Sequence, residues 1–415
     1  MKSRFLKSRL EELEKSKLSR IIVITGARQT GKTTLALNCF PKYKYLSIED
    51  PVLRMEYKKL TASRWSSSFP FAILDEVQKE PVLIESIKAV YDQSADTRYI
   101  LLGSSQLLLL SKVRESLAGR CVIEEVLPLT IPEILSDSWD SAPENSFYQN
   151  FLREFKLQDY LPSFSLHPDY ARKYDAFHYY LNYGGYPALV DKNLTDRERR
   201  DWLKNYIKTY LERDIRDLAE FKFLEPFVKF QQITALLTGQ LINYSQLGAE
   251  SGVSSKTAAR FLNYLGISYQ TILLSPWYGN SLKRLVKSPK LHYLDPGVQR
   301  AILDKTGMSS GNEFESAVIS EIYKQTKVLG FGGKFYHLRT HDGAEVDLLL
   351  ETEKGFIAFE IKMTQHIRRN DVRHLLKLKE ILDKPLIQGF VLSNDNEIQA
   401  FDENILAMPA AMFLS

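Results

Sequence analysis

Over the first 130 residues, short apolar runs rich in β-branched side chains alternate with stretches of helical periodicity. Five runs have the length and composition of buried strands: Ile21–Thr25, Tyr43–Ile48, Phe71–Leu74, Arg98–Gly103 and Cys121–Leu127. Strands that alternate with helices in this way are typical of a parallel sheet covered by helices. The pattern therefore predicts an α/β domain over residues 1–130.

From Pro132 to about residue 220 the pattern becomes helical and aromatic. Between Asp201 and Glu220, apolar side chains recur at helical spacing, at Trp202, Tyr206, Ile207, Tyr210, Leu211 and Ile215. We predict a helical lid or bundle over residues 131–222, following the sheet.

Residues 223–305 contain three helical runs, at Phe227–Leu237, at Tyr244–Leu247 and, after a break at Gly252–Ser254, at Thr257–Leu265. Two helices joined by a short glycine-containing turn form a helix-turn-helix. We therefore predict a winged-helix domain over residues 223–305.

A domain boundary is expected near Gly311. Over residues 311–415 the pattern predicts a helix, two paired strands and a second helix, at Glu313–Lys324, Glu345–Leu350, Phe356–Met363 and Asp371–Leu382. This succession predicts a second α/β domain.

Length and charge narrow the function only in part. A chain of 415 residues predicts two to four domains. The formal net charge of +4 is too small to indicate a nucleic-acid partner by itself, so any basic surface has to be local. No apolar run has the length of a signal peptide or a membrane span, and Cys39 and Cys121 form no CxxC pair. We expect a cytoplasmic protein with no membrane partner.

The first predicted strand leads into a glycine-rich segment that matches GxxxxGK[ST] and continues as a helix. Its residues are Gly26, Ala27, Arg28, Gln29, Thr30, Gly31, Lys32, Thr33 and Thr34. The glycines let backbone N–H groups wrap phosphate oxygens, and the start of the helix adds its positive dipole end. Lys32 would neutralise the β and γ oxygens, and Thr33 would offer a hydroxyl to Mg²⁺. We predict that this phosphate loop binds ATP with Mg²⁺.

The strand Phe71–Leu74 ends in two adjacent carboxylates, Asp75 and Glu76. An acid at the end of a neighbouring buried strand can hold Mg²⁺, and a second acid beside it can polarise the attacking water. We assign Asp75 to the metal and Glu76 to the water. A solvated acidic turn is the alternative, but its position downstream of a phosphate loop favours a hydrolase.

Two further positions are candidates for contacts with the γ-phosphate. The strand that ends at Leu102 is followed by Gly103-Ser104-Ser105-Gln106, and Ser105 would act as a sensor if this strand neighbours that of Asp75. Arg120 precedes the last strand and could reach a phosphate in its own subunit or in a neighbour's. Serines after strands also form turns, and an arginine here could be solvated or ion-paired. Arg28 and Arg213 are weaker candidates for the same role.

The C-terminal hairpin predicts a second acidic site. If Thr352–Gly355 is the turn, Glu351 pairs with Phe356, and counting outward places Asp347 opposite Glu360. Lys362 shares their face because side chains alternate along a strand. Asp347 and Glu360 would hold Mg²⁺ while Lys362 orients a water that attacks a phosphodiester. A surface ion pair, or a fold kept only for binding, would produce the same pattern.

A basic segment lies within the predicted winged helix. Between Ser251 and Leu294 there are six Lys or Arg and no Asp or Glu: Lys256, Arg260, Lys283, Arg284, Lys287 and Lys290. Such an asymmetry suits contacts to DNA phosphates, with Ser254, Ser255 and Lys256 opening the second helix. Winged helices also dock proteins, so the partner is either DNA or a protein.

Several of these motifs together resemble a known family. Five segments resemble the prokaryotic AAA-type ATPases: Gly26–Thr34, Leu74–Gln78, Gly103–Ser105, Ser116–Arg120 and Leu127–Leu129. Three others resemble the subgroup with a C-terminal domain of uncharacterised function: Tyr210–Ile215, Lys287–Lys290 and Glu345–Asp347. The resemblance implies an ATP-binding and ATP-hydrolysing P-loop sheet, then a winged helix and a restriction-endonuclease-like α/β domain.

The spacing Asp347-x(12)-Glu360-x-Lys362 also resembles the restriction-endonuclease-like nucleases, and Glu315 occupies the place of their additional metal-binding acid. Val346 stands where those nucleases usually have proline. The expected function is an ATP-dependent switch on DNA. Its C-terminal domain either cuts DNA or only binds DNA or a protein, and an arginine-finger homo-oligomer is a third hypothesis.

Overall fold

The computed structural model describes residues 1–103, 113, 115–157, 169–210, 224–278, 288–340 and 345–415. Several positions singled out in the sequence lie outside this described part of the chain, namely Ser105, Leu211, Arg213, Ile215, Lys283, Arg284 and Lys287.

The first part of the chain forms a parallel sheet of five strands in the order β2-β3-β4-β1-β5. Its strands are β1 Ile21–Thr25, β2 Lys44–Ser47, β3 Phe71–Asp75, β4 Arg98–Leu102 and β5 Cys121–Glu125. The accompanying helices are α1 Leu6–Lys15, α2 Lys32–Cys39, α3 Pro51–Lys58, α4 Ala62–Ser68 and α5 Val82–Gln93. Apolar side chains on both faces of β1, β3 and β4 are buried beneath these helices. The predicted P-loop α/β fold is therefore confirmed.

The predicted helical lid forms four described helices: α6 Ile131–Leu135, α7 Phe147–Glu154, α8 Tyr170–Tyr183 and α9 Asp196–Tyr210. Helices α6 to α8 do not cover the nucleotide sheet but share one hydrophobic core with the C-terminal part of the chain. Phe151 of α7, for example, meets Phe390 edge-on at 5.1 Å, and Tyr148 lies 5.4 Å from Phe413 between ring centroids.

Residues 224–278 and 288–310 form helices, which include the three helical runs expected from the sequence, and three short strands. The elements are α10 Glu225–Leu236, β6 Gln240–Leu241, α11 Tyr244–Ser251, α12 Ser255–Ile267, β7 Thr271–Pro276, β8 Lys290–Tyr293 and α13 Pro296–Ile302. Gly252, with φ 73°, ends α11, and the hydroxyl of Ser254 caps α12. Phe227, Phe230 and Phe261 form the aromatic centre of this unit.

The C-terminal part begins with a long buried helix, α14 Gly311–Val328, whose N-terminus has a capping box of Ser310 and Glu313. The remaining elements are β9 Lys334–Arg339, β10 Glu345–Glu351, β11 Phe356–Lys362, α15 Arg373–Leu376, α16 Leu378–Ile381, β12 Leu386–Ser393, β13 Gln399–Asp402, β14 Ile405–Pro409 and α17 Ala410–Leu414. The single helix expected over Asp371–Leu382 is thus two short helices.

One mixed sheet crosses the boundary expected at Gly311. Its nine strands follow the order β13-β14-β12-β11-β10-β9-β7-β8-β6. Strands β7 and β9 pair in parallel, and the Trp277 N–H extends the pairing to the His337 carbonyl at 2.7 Å. The β6 to β8 unit and the C-terminal domain are therefore joined by backbone hydrogen bonds.

A buried ion pair anchors α14 to the chain that leaves the nucleotide sheet. Lys324 Nζ lies 2.8 Å from Glu321 Oε2, and both side chains are fully buried. Lys324 also donates to the Leu129 carbonyl at 2.8 Å, and Glu321 accepts from the Ile131 N–H at 2.7 Å.

Within the described part of the chain, no helix has the length and apolar character needed to cross a membrane.

Candidate functional site

The phosphate loop is packed against the end of strand β5. Gly26 has φ 146° and Gly31 has φ 87°, values that favour glycine. A Cβ at Gly26 would lie 2.2 Å from the Val126 carbonyl oxygen. Only glycine fits at this position, because the loop packs directly against the residue that follows β5.

Lys32 lies inside this loop at the start of α2. Its Nζ donates to the Gly26 carbonyl at 3.0 Å and to the Ala27 carbonyl at 2.7 Å. The Thr30 hydroxyl also donates to the Ala27 carbonyl, at 2.8 Å. The loop thus holds its own lysine beside the backbone that would wrap phosphate oxygens. Of the other loop residues, Arg28 is half-buried and Gln29 and Thr34 are exposed.

The two residues predicted to hold Mg²⁺ are in direct contact. The Thr33 hydroxyl donates to Asp75 Oδ2 at 2.8 Å, across from the end of strand β3. Because parallel strands end at one edge of the sheet, β3 delivers its acid beside the loop that follows β1. The hydroxyl and carboxylate oxygens form the donor set that Mg²⁺ prefers, so these residues fit the metal.

Tyr45 is a third partner of this pair that the sequence did not reveal. Its hydroxyl donates to Asp75 Oδ2 at 2.9 Å from the adjacent strand β2. Burial and the hydrogen bond to Asp75 raise the pKa of Tyr45 to about 12, so it stays a donor. The pairing of β2 with β3 places Tyr45 there. The residues around Tyr45 form no recognisable motif, so the sequence alone does not indicate this contact.

Glu76 follows Asp75 in a left-handed backbone conformation, with φ 56° and ψ 39°. A non-glycine residue in this region is uncommon and costs about 1 kcal/mol or more, which points to a functional constraint. The Gln78 side-chain amide donates to Glu76 Oε2 and fixes the carboxylate. The backbone and Gln78 therefore orient Glu76 at the same edge as Thr33 and Asp75.

Arg120 is not brought to the phosphate loop. It directly precedes β5, whose first residue pairs with Ile21 at the beginning of β1, so it lies at the opposite edge of the sheet. Its guanidinium pairs with Asp92 through distances of 2.9 and 3.4 Å. Within its own subunit Arg120 belongs to a surface ion pair.

The C-terminal hairpin has the register expected from its sequence. Glu351 pairs with Phe356 and Leu348 with Phe359, which sets Asp347 beside Glu360 at the open end. Asp347 Oδ2 accepts from the Ile361 N–H at 2.8 Å, and Glu360 Oε1 lies 2.6 Å from Lys362 Nζ. Helix α14 adds Glu315, so the structure brings all four predicted residues into one cluster, in which Glu315, Asp347 and Glu360 are buried and Lys362 is partly exposed.

A second lysine enters this cluster from strand β8. Lys290 Nζ lies 2.7 Å from Glu315 Oε1, 3.4 Å from Asp347 Oδ1 and 3.5 Å from Glu345 Oε1. Its side chain is only 5% exposed, so the assignment of Lys290 to a phosphate-facing surface is wrong. The sequence contains one signal for this contact. No Asp or Glu lies between Ser251 and Leu294, so a lysine buried in this segment can form ion pairs only with acids of other segments.

The acids in the cluster repel one another. Burial and the charge of Asp347 raise the pKa of Glu315 and of Glu360. Burial opposes the charged form of Lys290, but Glu315 and Asp347 outweigh it and raise its pKa. Lys290 supplies a positive charge between Glu315 and Asp347.

The residues of this cluster do not fit a divalent metal as they stand. Asp347 is committed to a backbone N–H and to Lys290, and Glu315 to Lys290. Of the cluster's described carboxylate oxygens, Glu360 Oε2 is buried and has no hydrogen-bond partner. Among the residues that the structure describes, no group of three or more His, Cys, Asp or Glu could hold a metal ion.

Comparison with known families assigns the first part of the chain. Residues 18–135 match the family described as "AAA domain". The chain carries an AAA domain over these residues. Residues 174–309 match "Domain of unknown function (DUF8612)", and residues 310–413 match "Domain of unknown function (DUF4143)". The matched AAA domain contains the phosphate loop, Asp75 and Glu76.

Relatives and solved structures are similar to this chain over much of its length. Uncharacterized proteins of Mycobacterium bovis and Mycobacterium tuberculosis are each 27% identical over 359 residues, covering 83% of this chain and 70% of theirs. A Walker-type ATPase of Pyrococcus abyssi is 14% identical with a TM-score of 0.44, covering 71% of this chain and 94% of its own. The ORC2 protein of Aeropyrum pernix is 13% identical with a TM-score of 0.37, covering 77% and 93%.

Proposed function

We propose that this protein is an ATP-hydrolysing switch that transmits its nucleotide state to a DNA-binding surface. The observation that carries the ATPase part is the 2.8 Å contact between Thr33 and Asp75, with Glu76 held beside it. A phosphate loop alone would support nucleotide binding. The second, oriented carboxylate is what supports hydrolysis.

Each residue has a distinct task in this proposal. The loop N–H groups and Lys32 bind the phosphates, and Thr33 and Asp75 would hold the ion. An Mg²⁺ ion held by Thr33 and Asp75 would supply positive charge to neutralise the charge that develops on the phosphate oxygens. Glu76, fixed by Gln78, orients the attacking water and accepts its proton.

A chain of contacts supports transmission from the phosphate loop to the C-terminal part. The loop touches Val126 through Gly26, and three residues later the Leu129 N–H donates to the Gly185 carbonyl at 2.7 Å. The Leu129 carbonyl accepts from Lys324 of α14 at 2.8 Å. We therefore propose that residues 1–130 act as the nucleotide unit and that the segments 131–222, 223–305 and 311–415 respond as one body.

The DNA-binding part of the proposal rests on helix α12, in a winged-helix-like succession of elements. Its N-terminus exposes Ser254, Ser255 and Lys256, with Arg260 one turn further on. Hydroxyls, backbone N–H groups and basic side chains at a helix N-terminus suit phosphate contacts. A protein partner is the other outcome that the experiment below distinguishes.

For the C-terminal domain we favour a binding module over a nuclease. The observation that supports this choice is Lys290, whose ammonium lies among the carboxylates that a metal-dependent nuclease would need. The proposed catalytic set Asp347, Glu360 and Lys362 is present in space, but it is committed to ion pairs and backbone contacts.

DNA binding is tested with the charge-reversed variant Lys256→Glu/Arg260→Glu. It should weaken binding to duplex DNA and lower the slope of log affinity against log salt by about 2, since each phosphate contact contributes about 1. The matched control Lys192→Glu/Arg197→Glu alters two exposed basic residues elsewhere and should leave both unchanged. Equal effects of the two double variants would contradict a DNA surface on α12 and favour a protein partner.

The nuclease alternative is tested by incubating plasmid DNA with the protein and Mg²⁺ or Mn²⁺, with and without ATP. We expect no cleavage. Cleavage by the unmodified protein that is absent in Lys362→Ala would establish the nuclease and overturn the binding-module assignment. The ATPase rate, measured in the same samples, keeps the two proposals separate.

A further inference from the structure

Lys290 is an internal connection between two parts of the nine-stranded sheet. Its backbone belongs to β8, where it pairs with Leu241 on one side and Leu274 on the other. Its side chain ends among acids of two other elements, Glu315 on α14 and Asp347 on β10. The Lys290 side chain is only 5% exposed, whereas a lysine on the protein surface would have its ammonium in water.

We propose that the Lys290 ammonium is the resident cation of the C-terminal carboxylate cluster, placed where a divalent ion would have to bind. The cluster then takes up Mn²⁺ or Mg²⁺ only after Lys290 is removed. This inference concerns the C-terminal cluster alone and does not depend on ATP hydrolysis.

The distances support a replacement of metal by lysine. Nζ contacts three carboxylates at 2.7, 3.4 and 3.5 Å, so a second cation at the same point would meet it at close range. Two like charges that close, away from water, repel strongly. The ammonium and a divalent ion therefore exclude each other.

Removing the ammonium would take from Glu315 and Asp347 the cation that lies beside them. Glu315, Asp347 and Glu360 are nine-tenths or more buried, and buried carboxylates without a partner are costly. Without Lys290, one oxygen each of Glu315 and Asp347 would be released, and Glu360 Oε2 already has no hydrogen-bond partner among the described residues. Three carboxylate oxygens completed by water suit Mn²⁺ or Mg²⁺.

The test is a Mn²⁺ titration of the full-length, nucleotide-free protein, followed by the electron paramagnetic resonance signal of free Mn²⁺. All proteins carry Asp75→Asn, which removes the carboxylate that contacts Thr33 of the phosphate loop. We expect no saturable site up to about 1 mM Mn²⁺ with Lys290 present, a level at which ordinary protein carboxylate sites fill. Lys290→Met should gain one site per chain, and Lys290→Arg, which keeps a cation, should gain none.

A second variant identifies the ligands. Adding Asp347→Asn to Lys290→Met should abolish the gained site, whereas adding Asp371→Asn, which lies outside the cluster, should leave it intact. A saturable Mn²⁺ site with Lys290 present that is lost on Asp347→Asn would overturn the proposal. So would the absence of Mn²⁺ binding in a folded Lys290→Met protein.

Stability gives an independent readout where Lys290→Met weakens the fold. Mn²⁺ at 1 mM should raise the unfolding temperature of Lys290→Met by about 5 °C and leave that of the parent unchanged, because a ligand stabilises only the state it binds. Equal shifts in both proteins would contradict the proposal. If the protein does not hydrolyse ATP, an ATP-turnover assay shows it. The Mn²⁺ titration and the unfolding temperatures would be unaffected by that result.

Discussion

The protein contains two clusters of acids and lysines, and they differ in the partners of the acids. At the nucleotide edge, Asp75 accepts from the hydroxyls of Thr33 and Tyr45. In the C-terminal cluster, Glu315 and Glu360 face the ammonium groups of Lys290 and Lys362. Hydroxyl partners leave a carboxylate's charge available to a metal ion, whereas ammonium partners neutralise it. The same residue types therefore indicate a metal-binding site at the nucleotide edge and a set of structural ion pairs in the C-terminal cluster.

The largest expected effect separates the two clusters by activity. Glu76→Gln removes the base that accepts the proton of water and should lower the rate of ATP hydrolysis by about 10²- to 10⁴-fold, with ATP binding retained. Lys32→Ala should lose both binding and hydrolysis. The measurement is steady-state phosphate release together with the affinity for a fluorescent ATP analogue.

The matched control, in the C-terminal cluster, is Asp347→Asn. It alters a buried acid of the C-terminal cluster and should leave the ATPase rate within about twofold, since it touches no group at the phosphate loop. A loss of ATPase activity comparable to that of Glu76→Gln would show that the two clusters form one functional site.

The contrast also explains how far sequence reasoning reached. The phosphate loop is contiguous, so spacing alone predicted it, and the hairpin register followed from the four residues of its turn. The contacts of Tyr45 and Lys290 depend on strand pairings that no local motif indicates, β2 with β3 for Tyr45 and β7 with β9 for Lys290. Helical periodicity predicted helices after residue 131 but not which surface covers their apolar faces, and for α6 to α8 that surface is the C-terminal core.

Lys324 is another buried lysine, and replacing it tests whether its ion pair with Glu321 stabilises the fold. Lys324→Met leaves Glu321 charged and fully buried, and breaking such a pair costs about 3–5 kcal/mol of the free energy of unfolding. Urea denaturation measures this loss. The double variant Lys324→Met/Glu321→Gln should recover part of it, because glutamine carries no charge and can still accept from the Ile131 N–H. A loss below about 1 kcal/mol for Lys324→Met would contradict the structural role.

The surroundings of Lys290 give a smaller, pH-dependent effect. Burial and the Lys290 charge lower the pKa of His337 from 6.5 to about 4. Between these values the unfolded chain binds more protons than the folded one, so the free energy of unfolding falls as the pH falls. From pH 7 to pH 5 this histidine should account for roughly 2 kcal/mol of the loss.

Urea denaturation at the two pH values measures this effect in the protein and in His337→Gln. The variant should lose less stability on acidification by about that amount. Buried His292 has its pKa lowered by burial first and then by Lys290, and it leaves a residual loss of the same sign. An unchanged pH dependence in His337→Gln would show that His337 is not kept neutral by its site.

The smallest expected effect concerns Arg120, which faces neither cluster. Its pair with Asp92 is at the surface and contributes at most about 1 kcal/mol, so Arg120→Ala and Asp92→Ala should have similar, small effects on the free energy of unfolding. The ATPase rate per chain should stay within about twofold and should not depend on protein concentration, because Arg120 lies at the edge of the sheet away from its own phosphate loop. A rate that rises with concentration and collapses in Arg120→Ala, but not in Asp92→Ala, would place Arg120 in a neighbouring subunit's nucleotide site. The hydroxyl-partnered cluster would then be completed only in an oligomer, whereas the lysine-filled cluster is complete within one chain.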